Sequence, residues 1–256
     1  MKEEMKTMQD TAAPQATEPV TYPRLNEPTP SFTAKTTQGD ISFPQDFAGH
    51  WVVFFSHPAD FTPVCTSEFM TFAHMEEEFA QYNTRLLGLS IDSLYGHIAW
   101  LRLIQERMEF RGWSNLEVKF PLIEDIKMDI ARKYGMIQPG EGDTQAVRAV
   151  FIVDPKGILR AMLYYPMSTG RNMQEILRMI KALQVSDEFD VATPADWTPG
   201  ERVIVPTAGS CGVAKERMEG DVEGVECVDW FYCTRELTAD TIEQKIHTDP
   251  SEVLAR

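Results

Sequence analysis

The side chain best suited to nucleophilic chemistry is Cys65, which lies three residues after Thr62 and two after Pro63. Thr followed by Pro is typical of a helix start, because Thr is a good N-cap and Pro fits the first helical position. Cys65 then takes the third helical position, where unpaired backbone N–H groups and the helix dipole favour a thiolate over a thiol. The spacing therefore predicts a nucleophilic cysteine.

Two neighbours affect how this cysteine reacts. The Thr62 hydroxyl lies one turn before the sulfur, so it can reach the sulfur or a bound substrate. Glu68 lies about one turn after the sulfur, and its carboxylate opposes the formation of a second negative charge nearby. A cation is therefore needed from another part of the chain.

The elements around Cys65 alternate between strand and helix patterns. The apolar run 51–56 predicts a buried strand, and the run 86–91 predicts a second one. Between them, apolar side chains recur at helical spacing; they are Phe69, Phe72, Met75 and Phe79. A helix over 94–108 has its apolar side predicted at Ile98, Leu101, Ile104 and Met108.

Further along, a short strand is predicted at 120–123 and a closing helix at 172–183. Between them the strands 148–153 and 158–164 flank the turn sequence Asp-Pro-Lys-Gly, which is typical of a β-hairpin. This order predicts an α/β domain with a mixed central sheet flanked by helices, which suits a thioredoxin-like fold.

The chain divides into three regions by composition. Residues 1–23 are polar and proline-containing and predict a flexible leader, and residues 24–186 carry the α/β pattern. Residues 187–256 lack clear periodicity but include aromatic side chains between two cysteines. We expect this last region to be a C-terminal dimerisation arm that buries its aromatic residues against a second subunit.

Composition excludes several classes of partner. A net charge of −15 without a basic cluster argues against nucleic acid and anionic membrane surfaces. The longest apolar runs are too short to span a bilayer, and the first twenty residues lack the apolar core of a targeting signal. We therefore expect a reducing, cytoplasmic location, where cysteines serve as core residues, metal ligands or redox catalysts.

Pro58, Thr62 and Cys65 together form the pattern Pro-x-x-x-Thr-x-x-Cys. This stretch resembles the active-site loop of the peroxiredoxins, which are thiol peroxidases with a thioredoxin-like fold. The resemblance covers roughly residues 25–240 and points to the one-cysteine type with a long C-terminal dimerisation domain. It implies that Cys65 attacks the peroxide O–O bond and becomes a sulfenic acid, with no cofactor and no metal.

The resemblance also implies roles for three other residues. The strand 146–154 is similar to the family strand whose arginine contacts the reactive cysteine, so Arg148 is the cation sought above. Arg171, after Gly170, resembles a second arginine of the same pocket. His57 lies on the same loop, where it either lines the substrate pocket or is a strand-end histidine held by backbone hydrogen bonds.

Three further cysteines lie in the arm. Resemblance to archaeal members with a Cys-x5-Cys implies that Cys233 resolves the sulfenic acid across a dimer interface. Cys227 is a second candidate that can exchange with Cys233, and Cys211 is interpreted as a bystander. A zinc site is a weaker interpretation, because zinc ligands usually pair as Cys-x2–4-Cys.

The resemblance implies a hydroperoxide substrate, a thioredoxin-like or other disulfide-reducing donor, and a homodimer that assembles into a ring, a decamer or a dodecamer. Two other classes are weighed against this one. A thiol–disulfide oxidoreductase normally has Cys-x-x-Cys at the helix start, where this chain has Thr62. A non-enzymatic holdase chaperone would keep its activity when Cys65 is replaced.

Overall fold

The computed structural model describes residues 22–142, 144–220 and 222–254. Most of the predicted leader therefore lies outside the described residues. The strands are β1 (Phe32–Thr36), β2 (Gly39–Phe43), β3 (Trp51–Ser56), β4 (Thr84–Ser90), β5 (Glu109–Phe110), β6 (Trp113–Ser114), β7 (Leu122–Glu124), β8 (Arg148–Val153), β9 (Leu159–Tyr165), β10 (Val203–Ile204), β11 (Val225–Asp229) and β12 (Tyr232–Arg235). The helices are α1 (Pro63–Ala80), α2 (Leu94–Arg107), α3 (Asp129–Lys133), α4 (Met173–Phe189), α5 (Cys211–Glu219), α6 (Ala239–Ile246) and α7 (Pro250–Leu254).

The main sheet has seven strands in the order β2-β1-β7-β4-β3-β8-β9. The pairs β3–β4 and β4–β7 are parallel and the other neighbours are antiparallel, which gives the mixed sheet expected from the sequence. A smaller sheet, β10-β12-β11, lies in the C-terminal region. The fold is the thioredoxin-like α/β arrangement with a C-terminal extension.

The central strand β3 is buried on both faces because its alternate side chains enter two different cores. Val53 and Phe55 belong to the core that includes α1, α2 and α4, and Val52 and Phe54 belong to the core on the opposite face. The ring of Phe55 stacks on Phe72 of α1, with centroids 4.3 Å apart. This contact fixes the helix that carries Cys65 against the middle of the sheet.

The parallel strands β3, β4 and β7 all end at one edge of the sheet. In open α/β sheets, sites form outside the carboxyl ends of such strands. Here those ends lead into His57, the segment 90–92 and Glu124, and α1 begins directly after the first of these loops. The topology thus places the helix start with Cys65 at the edge where polar side chains converge.

Parts of the secondary structure differ from the sequence prediction. The sequence pattern does not predict the β1–β2 hairpin, because about half of the residues in its strands are polar. In the structure these strands are only partly buried. The apolar side predicted for α2 is partly wrong: Ile98 is 50% exposed, whereas His97 and Trp100 are buried with Ile104. The rotation follows from Trp100, whose ring packs against Phe69 of α1 with centroids 4.6 Å apart.

The helix predicted over 172–183 continues to Phe189 as α4, because Gln184 and Val185 remain buried. The expected boundary between residues 186 and 187 therefore falls inside a helix. Several side chains of the C-terminal region join the core formed by α1, α2 and α4; they are Trp197, Val203, Leu237, Ile242 and Ile246. Part of the predicted arm thus packs on its own chain, where α6 contacts α4 and α7 contacts α1.

Candidate active site around Cys65

The helix start is arranged as the sequence predicted. Thr62 is the N-cap of α1 with an extended backbone, Pro63 is the first helical residue and Cys65 the third. The Thr62 hydroxyl does not cap the helix; it donates a hydrogen bond to the carbonyl oxygen of Ala59 at 2.9 Å. Because that bond uses the hydroxyl proton, the Thr62 oxygen is left with lone pairs that can accept a hydrogen bond.

Cys65 is a free cysteine and is fully buried. The nearest cation is the guanidinium of Arg148, whose Nη1 donates to the Cys65 sulfur at 3.3 Å. Arg148 is the first residue of β8, which pairs with β3 in the sheet, so strand pairing brings it to the helix that follows β3. The structure therefore supplies the cation that the sequence required, from a residue 83 positions away.

Glu68 connects this arginine to a second one. Its Oε2 accepts from Arg148 Nη1 at 2.8 Å and from Arg171 Nη2 at 2.7 Å, and its Oε1 accepts from Arg171 Nε at 2.9 Å. Burial alone raises the pKa of Glu68, but the charge and hydrogen bonds of Arg171, with the charge of Arg148, outweigh it. The pKa of Glu68 is therefore held below its ordinary value of 4.5.

The two arginines are also fixed by carbonyl oxygens. Arg148 donates through Nε and Nη2 to Met167 at 3.1 and 2.8 Å. Arg171 donates through Nη1 to Ser56 at 2.9 Å and to Ala149 at 3.0 Å. With two guanidinium groups and one carboxylate, the group beside Cys65 carries a net charge of +1, which stabilises an anion at the sulfur.

This network corrects one expectation. Glu68 does not simply oppose the thiolate, because two buried cations bind its carboxylate. Its spacing of three residues from Cys65 places both on one face of the helix, and that spacing was the only sign in the sequence. Arg171 binds the carboxylate of Glu68, whereas Arg148 donates a hydrogen bond to the Cys65 sulfur.

Pro58 and His57 are both buried at the start of the loop that leads to α1. The ring of His57 lies in the interior between Phe69 and Trp100, so it does not line an open cavity. Its Nε2 lies 2.9 Å from Oδ1 of Asp60, a side-chain partner that was not expected from the sequence. Burial lowers the pKa of His57 below 6.5 in spite of this bond.

Two cavities flank the helix start. One of about 400 Å³ has Thr62, Pro63 and Trp100 among its lining residues, and one of about 680 Å³ has Glu68 and Arg171. They lie on two sides of the first turns of α1. The smaller cavity is the one that reaches Thr62, and the buried Cys65 is not among the lining residues of either cavity.

One group of metal-ligand type occurs among the described residues, namely His57, Asp60 and Asp92, with atoms within 4.8 Å of one another. Hydrogen bonds already engage both oxygens of the Asp60 carboxylate, through His57 and His97. Oδ2 of Asp92 accepts from the Asp60 backbone and from Ser90. We therefore assign no metal to this group.

The remaining cysteines lie in the C-terminal region. Cys227 and Cys233 are directly opposite each other on β11 and β12 and form a disulfide. Cys233 is fully buried, whereas Cys211 is free and exposed at the start of α5. Around the disulfide, several large apolar side chains are exposed; they are Val228, Trp230, Phe231 and Tyr232.

Two family models match the chain. The AhpC/TSA family matches residues 25–162, and the C-terminal domain of 1-Cys peroxiredoxin matches residues 182–220. A peroxiredoxin of Methanosarcina mazei is 60% identical over 216 residues, which cover 84% of this chain and 99% of the relative. A peroxiredoxin of Aquifex aeolicus is 49% identical over 230 residues, covering 86% of this chain and 100% of the relative.

Solved structures agree with these matches. A yeast mitochondrial 1-Cys peroxiredoxin aligns with a TM-score of 0.72 at 35% identity, over 84% of this chain and 99% of the other. A cysteine-to-serine mutant of peroxiredoxin 6 from Arenicola marina also aligns with a TM-score of 0.72, at 33% identity, over 83% of this chain and 97% of the other. None of the described helices is long and apolar enough to cross a membrane.

Proposed function

The chain belongs to the peroxiredoxin family and is a thiol-dependent peroxidase, and from this premise we propose that Cys65 is the residue that attacks the peroxide. The observation that carries the proposal is the 3.3 Å contact between the Cys65 sulfur and Nη1 of Arg148 at a helix start. A buried guanidinium beside a thiolate stabilises the nucleophile and the charge that develops on the departing oxygen.

The first step uses the residues around the sulfur. The Cys65 thiolate attacks one peroxide oxygen, the O–O bond breaks, and the departing oxygen takes a proton to leave as water or an alcohol. The Thr62 oxygen, whose own proton is engaged by Ala59, accepts the hydrogen bond of the peroxide O–H. Arg148 and the backbone N–H groups of the first turn stabilise the leaving oxygen. Cys65 is left as a sulfenic acid.

We further propose that Cys233 resolves the sulfenic acid and Cys227 completes the cycle. The Cys233 thiol condenses with the sulfenic acid, which forms a Cys65–Cys233 disulfide and releases water. The Cys227 thiolate then attacks the Cys233 sulfur and frees Cys65. The product is a Cys227–Cys233 disulfide with a free Cys65. The structure has the same cysteine pairing.

The substrates that fit this site are hydrogen peroxide and organic hydroperoxides, because the chemistry needs only an O–O bond and a good leaving oxygen. Regeneration requires a thioredoxin-like or other dithiol donor that reduces the C-terminal disulfide. A reducing cytoplasm supplies such donors, so the proposal includes that compartment and a role in antioxidant defence.

Stopped-flow consumption of hydrogen peroxide tests the assignment of the cysteines. Cys65→Ser should lose rapid consumption altogether. Cys233→Ser should reduce one equivalent of peroxide and stop with Cys65 as a sulfenic acid. Cys227→Ser should stop as a Cys65–Cys233 disulfide, which is visible as a cross-linked species on a non-reducing gel. Cys211→Ser is the matched control and should turn over like the unmodified chain.

Two outcomes would contradict the assignment. Cys65→Ser that still consumes peroxide rapidly would show that another residue is the nucleophile. Cys227→Ser and Cys233→Ser that both turn over normally with a protein dithiol donor would show that an external thiol resolves Cys65 directly.

We also propose that the chain is a homodimer that uses the C-terminal hairpin, with dimers assembled into a ring of ten or twelve subunits. Trp230, Phe231 and Tyr232 are 43–54% exposed beside the disulfide, a cluster that a second subunit would cover. Sedimentation of Phe231→Ser should give a smaller species than the unmodified chain. Met218→Ser, at an exposed position on α5, is the control. A monomer at working concentration for the unmodified chain would end this proposal.

A further inference from the structure

The loop that carries Thr62 contains an unfavourable backbone conformation. Phe61, the residue before Thr62, has a φ of +56°, in the left-handed region that a residue with a Cβ rarely adopts. Its side chain is 58% exposed, so packing of the Phe61 ring does not hold the backbone there. Such a conformation persists only when the surrounding structure enforces it, and the residues on each side must supply the restraint.

On one side of Phe61 the restraint is Asp60, a buried residue with three hydrogen bonds. Its Oδ1 lies 2.9 Å from Nε2 of His57, its Oδ2 lies 2.7 Å from Nδ1 of His97, and its backbone N–H donates to Asp92 at 2.9 Å. Burial alone raises the pKa of Asp60, but the hydrogen bonds from His57 and His97 hold it below 3.8. Asp60 is therefore an ionised anchor.

Of these partners, His97 lies in α2, outside the loop. Its Nε2 lies 3.1 Å from the carbonyl oxygen of Ile123, which can only accept a hydrogen bond. Its Nδ1 faces the Asp60 carboxylate, which also only accepts. Because the acceptor that faces Nδ1 is an ionised carboxylate, the hydrogen bond from His97 to Asp60 is charge-assisted and strong.

On the other side of Phe61, α2 contacts the first turn of α1. Trp100, three residues after His97, donates through Nε1 to the Thr66 hydroxyl at 3.3 Å. The Thr66 hydroxyl in turn donates to the carbonyl oxygen of Thr62 at 2.8 Å. The Thr62 hydroxyl is aimed by its bond to Ala59, the residue next to Asp60. Helix α2 therefore holds both flanks of Thr62.

We propose that His97 is a positioning residue for the peroxide reaction: through Asp60 it enforces the turn at Phe61 and so sets the orientation of the Thr62 hydroxyl beside Cys65. The inference rests on the proposed roles of Cys65 and Thr62. It assigns to His97 no contact with substrate and no proton transfer.

Two near-isosteric variants separate the two hydrogen bonds of His97. In His97→Asn, the amide nitrogen occupies the place of Nδ1 and can still donate to Asp60. In His97→Gln, it occupies the place of Nε2 and can still donate to Ile123, but Oδ2 of Asp60 loses its hydrogen bond from His97. We expect the rate constant of the reduced protein with hydrogen peroxide to fall about tenfold in His97→Gln, because a displaced group loses orientation. His97→Asn should stay within about twofold of the unmodified chain.

Alkylation of Cys65 by iodoacetamide, followed by peptide mass, provides the second measurement. Alkylation needs the thiolate but not the Thr62 oxygen, so its rate should change by less than about twofold in both variants. A double-mutant cycle provides the third. In a Thr62→Val background, which should itself react slowly with peroxide, His97→Gln should cause no further loss if it acts through Thr62.

The outcomes that overturn the inference are distinct from those that overturn the proposed function. Four results would each reject the positioning role. The rate constant with peroxide could fall equally in His97→Asn and His97→Gln, or be unchanged in His97→Gln. The rates with peroxide and with iodoacetamide could fall in parallel, or His97→Gln could cause its full loss again in the Thr62→Val background. The proposed nucleophile is tested separately by Cys65→Ser, and Thr62→Val at the unmodified rate would remove the role of Thr62 itself.

Discussion

Cys65 lies at the start of an 18-residue helix, fully buried, with a bridged pair of arginines behind it. Cys227 and Cys233 instead face each other across a short hairpin. The side chains of Glu68, Arg148 and Arg171 are at most 3% exposed, whereas the aromatic residues of the hairpin are 43–54% exposed.

In the mechanism proposed above, this difference in surroundings corresponds to a difference in task. The peroxide step needs donors fixed before the substrate arrives, because preorganised charge is effective only where it does not have to reorient. Helix α1 and strands β3 and β8 provide that fixation through many contacts. The resolving step needs a cysteine that can leave its resting position, and Cys233 lies in a small three-stranded sheet whose hairpin exposes large apolar side chains.

The comparison is tested most strongly at Glu68. In Glu68→Gln, two buried guanidinium groups lose their shared carboxylate, and we expect a loss of about 3–5 kcal/mol in the free energy of unfolding. Urea denaturation measures this loss. Glu175→Gln is the control, because Glu175 pairs with Arg178 on a half-exposed surface of α4 and should change stability by less than about 1 kcal/mol. Equal effects of the two variants would mean that the buried network is not a special source of rigidity.

The same pair of variants predicts a pH effect. Because the pKa of Glu68 is lowered in the folded state, its stabilisation is present above the unfolded value near 4.5 and is lost as the pH falls through the lower folded value. The unmodified chain should therefore lose stability on acidification below pH 4.5 more steeply than Glu68→Gln. Denaturation midpoints measured at several pH values from neutral to acid test this, and parallel curves would contradict it.

Arg148→Lys tests the geometry of the same region with the charge retained. A lysine ammonium cannot reach the sulfur, Glu68 and the Met167 carbonyl oxygen together, as the guanidinium does. We expect the rate constant with hydrogen peroxide to fall about a hundredfold, which corresponds to about 2.7 kcal/mol. Arg160→Lys is the control, since Arg160 pairs with Asp187 at another part of the sheet. A rate for Arg148→Lys equal to that of the control would show that charge alone suffices.

Breaking the disulfide of the hairpin should give the smallest change among these predictions. Its disulfide closes a short loop, so reduction should lower the free energy of unfolding by about 2 kcal/mol on the loop-entropy estimate. Urea denaturation with and without dithiothreitol measures the change. The double variant Cys227→Ser, Cys233→Ser should show no response to the reductant. A loss on reduction comparable to that of Glu68→Gln would mean that the hairpin is as much a part of the rigid core as Cys65.

Local patterns were enough to predict the elements that contain most of the reacting groups. The β3 run, the Thr62-Pro63 helix start and the hairpin after Arg148 each depend on neighbours within a few residues, and all three appear as predicted. The motif of Pro58, Thr62 and Cys65 indicated the family for the same reason.

Side-chain partners between elements could not be predicted in the same way. Glu68 appeared as an isolated negative charge because its two cations come from residues 80 and 103 positions away. For His57 the sequence left two interpretations open, a pocket residue or a strand-end histidine held by backbone hydrogen bonds, and neither included its side-chain contacts with Asp60 and Trp100. The buried face of α2 was misplaced because His97, a polar residue, was not counted as interior.

The sequence by itself determined that a cysteine begins a helix after a buried strand, since N-cap preference, proline geometry and apolar periodicity are properties of short segments. Only the tertiary structure decided which charges surround that cysteine and which helix restrains its loop. Those contacts depend on strand pairing and helix packing, which bring together groups far apart in the chain. At Cys65, Arg148 and Glu68 it is this long-range packing that sets the charge felt by the sulfur.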